Sequence, residues 1–189
     1  MEPILKILNS PFGLLVAGAI VSGIFVQYTA SRWQHANWLQ QQDFTARKAA
    51  FERSLEKKYQ VLEKANDALA AILTHSQFVV AGYAKRVPAA QLNQLVAAYN
   101  TAVMTWETEF RTHQLRIKAA YSSKKPAEIW DLIKRDRDNL DLAIYELGRT
   151  DEASFNESLN LISGISDTAA ELSQAMMLEI NSMSFDLKP

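Results

Sequence analysis

The chain contains no cysteine, which excludes disulfides, thiolate zinc sites, cysteine nucleophiles and cysteine-held iron–sulfur clusters together while leaving the redox compartment open. Histidine is nearly as scarce, with only His35, His75 and His113, so the usual bases for acyl transfer are almost missing. None of the three follows a glutamate by three residues, the spacing a carboxylate-bridged di-metal site in a helix bundle needs. Glu109 and His113 stand four apart and could share a metal. His113 has no companions, however, and reads as a polar core or edge position.

Glycine is also sparse. Of six glycines, three are Gly13, Gly18 and Gly23, and no two of the rest lie closer than Gly148 and Gly164. A phosphate-cradling loop is therefore excluded. Gly164, beside Ser163, is expected to mark a kink or a close helix crossing. The run Asp136-x-Asp138-x-x-Asp141 has some calcium-loop character, but it lacks the loop's glycine and closing glutamate and reads as a solvated helix face. Taken together, these absences predict a protein that is not an enzyme, with no cofactor, no metal and no small-molecule substrate. No repeat or low-complexity stretch interrupts the chain.

The net charge of −1 conceals an asymmetry: Arg32 to Arg86 holds 9 basic and 5 acidic residues, while Thr150 to the end holds 1 and 7. Basic residues are interleaved with acids, where phosphate binding would favour a cluster, so nucleic acid is not expected as a partner. Mutual attraction between basic and acidic helices of one bundle is the simpler reading.

What the chain does have is an apolar run and helical periodicity. From Pro11 to Tyr28 eighteen positions pass without a charged side chain, about the lower limit for a helix crossing ~30 Å of hydrocarbon. The run is expected to be a transmembrane helix over 11–29, preceded by a short flank at 1–10. It would make the chain a single-pass membrane protein with the lipid bilayer as a partner. Phe12, Tyr28, Trp33 and Trp38 lie where interfacial aromatics would sit. Gly13, Ala17, Gly18, Ser22 and Gly23 offer small faces for membrane helix packing. Lys6 on one flank against Arg32, Arg47 and Lys48 on the other favours a cytoplasmic bundle.

Beyond a helical stalk at 30–43, Pro88, Pro126 and Gly148 divide 44–185 into helices at about 44–85, 89–121, 127–147 and 151–184, with a tail at 186–189. The first carries Phe44, Phe51, Leu55, Leu62, Leu69, Ile72, Val79 and Tyr83, and ends with Lys85 and Arg86 in its last turn. The second has the cleanest stripe, Leu92, Val96, Tyr99, Val103, Trp106, Phe110, His113 and Ile117, spaced alternately by four and three. The third shows Ile129, Ile133, Leu140, Ile144 and Leu147. The fourth shows Phe155, Leu159, Ile162, Ala169, Leu172, Met176, Ile180 and Met183.

Short connections predict an all-α, antiparallel up-down-up-down four-helix bundle with a long first helix, and helix lengths return the acidic half of helix four to the basic lower part of helix one, near Arg47 and Lys48. The function expected is non-catalytic: a membrane-anchored helical bundle acting through a protein partner or as a homo-oligomer. The alternatives are a bundle that senses a small ligand between its helices, and an envelope-spanning or lysis-type tether of opposite orientation.

Overall fold

The computed structural model describes residues 11–147 and 152–184, and within these the side chains outside 11–21, 24–25 and 152–153. Four helices and no strand occur among the described residues: α1 (Pro11–Ala84), α2 (Ala89–Ala120), α3 (Lys125–Glu146) and α4 (Glu152–Ser182). The chain divides into two compact units, residues 1–51 with 186–189, and residues 52–185. α1 belongs to both as one unbroken helix of 74 residues.

The apolar run is where structure and sequence part. Among the described residues no helix is long and apolar enough to cross a membrane, so the single-pass membrane localisation is corrected. Of the run's eighteen positions only Ser22, Gly23, Val26, Gln27 and Tyr28 have described side chains. From Ser22 onward α1 carries too many polar groups for hydrocarbon, with Gln27, Ser31, Arg32, Gln34 and Asn37 or its neighbours recurring each turn.

 Phe12, Gly13, Ala17 and Gly18 lie outside the described side chains.

The end of α1 is set by local chemistry. Arg86 adopts the left-handed conformation, φ 50°, its N–H donates to the Tyr83 carbonyl, and the Val87 N–H reaches back to Gly82 O at 3.1 Å. This is the paired closure of a Schellman cap, usually built on glycine. Lys85 and Arg86 therefore lie just beyond the helix rather than in its last turn. Pro88 then caps α2 with its carbonyl, accepting from Gln91 and Leu92. Pro126 occupies the first turn of α3, where a missing N–H costs nothing.

Within residues 52–185 the helices pack antiparallel. On α2 and α3 the Tyr99 hydroxyl donates to Asp141, Arg137 pairs with Glu107 and the Trp130 indole N–H donates to Phe110 O. Residue numbers fall on one helix as they rise on the other. The same holds for α1 and α4, where Lys58 pairs with Glu179 and Ser173 donates to Asn66. The acidic half of α4 thus lies along α1, with Lys58 as a basic partner.

The core is apolar, with Trp130, Ile117, Ile133, Leu140, Ile165, Leu172 and Met176 almost fully buried. Trp106, Phe110 and His113 from α2 gather on Trp130, their ring centroids 4.7, 5.8 and 5.6 Å from its own. Leu159, expected inside, is 43% exposed. The buried place in that turn goes to Ser158, whose hydroxyl donates to Ser154 O. Gly164 makes no close crossing, since a Cβ there would meet nothing within 4 Å.

Candidate functional site

Two surfaces stand apart from the packed core, one in each unit. The first is the exposed stretch of α1 from Val26 to Asp43, where every side chain is exposed. It carries Val26, Tyr28, Trp33, Trp38 and Leu39, with Trp33 70% exposed. Tryptophan is rarely left so open, because its burial removes more apolar area from water than that of other residues. The rings do not shield one another well: Arg32 sits over Tyr28 at 5.4 Å and His35 stacks on Trp38 at 6.0 Å. Ser22 and Gly23 are exposed too, and a Cβ at Gly23 would meet no atom within 4 Å. Of the expected interfacial and packing residues, the structure thus shows Ser22, Gly23, Tyr28, Trp33 and Trp38 open to solvent along one helix.

The second surface is a groove of about 760 Å³ in residues 52–185, lined by α1 and α2. It exists because the facing positions are small: Ala68 and Ala71 on α1, Ala98 and Ala102 on α2. Charged and polar side chains surround this floor, among them Lys64, Asp67, His75, Glu109 and Arg116. Trp106 and His113 also line it. Both rings are buried, yet Trp106 Nε1 and His113 Nδ1 have no hydrogen-bond partner among the described residues. An unsatisfied buried group costs about 1–3 kcal/mol. Sequence reading singled out His113 but missed the groove. Its alanines look like ordinary helix formers until the two helices are placed side by side.

His113 Nε2 lies 3.3 Å from Glu109. A carboxylate only accepts, so this contact puts the proton on Nε2 and leaves Nδ1 as an acceptor in the neutral ring. Trp106 N–H is a donor without an acceptor. The groove wall therefore holds a donor on Trp106 and, in the neutral tautomer that carries its proton on Nε2, an acceptor on His113. No group of three or more metal-ligating side chains occurs among the described residues.

Two ionic clusters, built on the buried cations Lys58 and Arg137, serve the fold of residues 52–185. Glu179 accepts from Lys58 Nζ at 2.6 Å and from the Ser122 and Ser123 N–H groups at 2.7 and 3.0 Å. The Tyr121 hydroxyl donates to Lys58 O, and the Lys58 ammonium lies 5.3 Å from the Tyr121 ring centre. Burial pushes the Glu179 carboxyl up, but the hydrogen bonds from Lys58 and the two serine amides outweigh it and hold it below the usual glutamate range. Burial, with Glu179 next, raises the Tyr121 hydroxyl above the tyrosine range.

In the second cluster Arg137, buried on α3, pairs with Glu107, Asp138 and Asp141. Desolvation works against the Asp138 carboxylate, yet Lys134 and Arg137 together keep it below the usual range. Burial first, then Asp141, raises the Tyr99 hydroxyl. Asp138 and Asp141 thus answer Arg137 rather than forming a plain solvated face. No family model, curated protein or solved structure matches the chain.

Proposed function

We propose that the protein acts without catalysis, as a helical bundle that assembles with a second copy of itself through the exposed stretch of α1. The observation that carries this reading is that Val26 and Trp33, two turns apart on one face of α1, are 63% and 70% exposed. Covering the exposed half to two-thirds of such an indole, out of the about 150–250 Å² an aromatic side chain buries, is worth about 2–4 kcal/mol at ~25 cal/mol per Å² before ordering costs.

A second copy suits the stretch because Val26, Ala30, Trp33, Asn37 and Gln40 follow one another at alternating intervals of four and three, the spacing of a helix–helix seam. Between Ala30 and Gln42 only Arg32 carries a full charge, so like stretches meet without a row of repulsions. Amides at seam positions, here Asn37 and Gln40, favour one register over others.

A photo-crosslinking residue at Gln40, activated in cells, tests the occupant directly. The expected product is a covalent dimer of this chain. A crosslink to a different protein, or none at all, would overturn self-pairing.

A further inference from the structure

The groove between α1 and α2 is a second, independent feature, and its charges are arranged for a ligand of a particular kind. α1 enters the Arg86 turn and α2 leaves it, with Leu92 and Leu95 packed near Gly82, so the two helices run antiparallel. Lys64 and Asp67 therefore share one end of the groove with Glu109, His113 and Arg116. Ala71, Ala98 and Thr101 lie toward the other. One end is charged with both signs, and the other is small and largely uncharged.

Lys64, Asp67 and Arg116 take no part in the ion pairs among the described residues, whereas the buried Lys58 pairs with Glu179 and the buried Arg137 with Glu107, Asp138 and Asp141. Glu109 is already turned to His113. The groove thus offers two uncommitted cations and one uncommitted carboxylate beside an apolar floor. In its wall stand a buried N–H without an acceptor, on Trp106, and a buried ring nitrogen without a donor, on His113.

We propose that this groove binds a small zwitterion with an apolar body, of the class of the apolar α-amino acids. The ligand carboxylate lies toward Lys64 and Arg116, and its ammonium toward Asp67. Its side chain rests on Ala68, Ala71 and Ala102. A small turn of either wall ring brings its orphan nitrogen to the ligand: Trp106 N–H donates to the carboxylate, and His113 Nδ1 accepts from the ammonium. A purely anionic or purely cationic ligand satisfies only one of the two orphans and leaves Asp67 or Lys64 unmatched. That is why the zwitterion is favoured over either.

The test follows the Trp106 indole N–H in proton–nitrogen spectra of the full chain, the resonance being assigned with Trp106→Phe. L-leucine and L-phenylalanine are titrated beside 4-methylpentanoate and 3-methylbutylamine, which keep the apolar body and one charge each. The expected result is a saturable shift with at least one amino acid and binding about tenfold weaker for each single-charge analogue. Lys64→Gln and Asp67→Asn, both at exposed positions whose circular dichroism should be unchanged, are expected to weaken the amino acid by a similar factor. No saturable shift with either amino acid overturns the proposal. So does equal binding of the acid or the amine, or binding unaffected by both substitutions.

Discussion

α1 has two fates within one unbroken helix. Between Val61 and Val80 one apolar stripe is buried, with Ala65 and Val79 at 0% exposure, although Phe78 off that stripe is 53% exposed, while between Val26 and Leu39 both tryptophans stand in solvent. Backbone hydrogen bonding is the same in both stretches, so helix formation alone does not decide burial. What differs is the neighbour: α4 covers the first stretch through Lys58–Glu179 and Asn66–Ser173, and nothing described in this chain covers Trp33 or Trp38. The exposed apolar side chains of that stretch are what the proposed pairing with a second copy would cover.

The strongest way to break this comparison is to attack the covered stretch. Glu179→Ala removes the acceptor of Lys58 and of two backbone amides and should cost about 3–5 kcal/mol, because it leaves a buried ammonium unpaired. Urea unfolding of the variant measures it. Lys58→Met with Glu179→Leu should recover much of the loss, since no buried ammonium is then left unpaired and the exposed Ser122 and Ser123 amides turn to water. A Glu179→Ala variant as stable as the parent would show that the cluster does not hold α4 to α1.

The next contrast sets one tryptophan against another. Trp130→Ala, at a site with 0% exposure, should cost about 3–5 kcal/mol in the same unfolding experiment. Trp33→Ser and Trp38→Ser, measured where the chain is dilute and unassociated, should each change stability by no more than about 0.5 kcal/mol. A large loss at Trp33 would mean that the stretch is already covered within the chain.

Acid and alkali sharpen the picture of the covered region. Glu179 and Asp138 have carboxyls held below their ordinary range in the folded state, so their contribution is present above about pH 4–5 and is lost as pH falls through the folded values. Tyr99 and Tyr121 are shifted upward. Their contribution is present below about pH 10 and is lost as pH rises toward the folded values. Melting temperature against pH should therefore show a plateau with a fall on each side, and Glu179→Gln should flatten the acid side.

The smallest effects concern backbone fit. Arg86→Gly should stabilise the chain by about 1 kcal/mol, as glycine adopts the left-handed cap without the side-chain clash. Gly164→Ala should stabilise it by about 0.5–1 kcal/mol, because the helix gains a better former in open space. Thermal melts read both, and a loss at Gly164 would reveal a neighbour that the packing does not show.

Much of the architecture was legible in the sequence. Pro88 and Pro126 marked helix starts, and the α2 stripe correctly placed Tyr99, Trp106, Phe110, His113 and Ile117 inside. Three buried positions went unmarked for one reason. Lys58 lies between Leu55 and Leu62, Ser76 between Ile72 and Val79, and Arg137 between Ile133 and Leu140, each at helical spacing on its stripe. They looked like gaps in an apolar row, but they are buried polar positions whose partners come from elsewhere in the chain or from the preceding turn. A sequence shows the position of such a residue and not the Glu179 or Glu107 that satisfies it. The groove was hidden for the same reason, because it arises only where the alanines of α1 and α2 face each other. At the amino-terminal end, periodicity and apolarity alone suggested a membrane span, whereas the described residues hold no helix apolar enough for one.

The central claim, that the open stretch of α1 pairs with a second copy, is tested most directly by the mass of the full chain in solution across a range of concentrations. Light scattering should give at least twice the 21.3 kDa of one chain for the parent protein, and Trp33→Ser combined with Trp38→Ser should return it to the single-chain mass with helix content unchanged. A parent protein of single-chain mass at every concentration, or a variant that assembles as well as the parent, would contradict it.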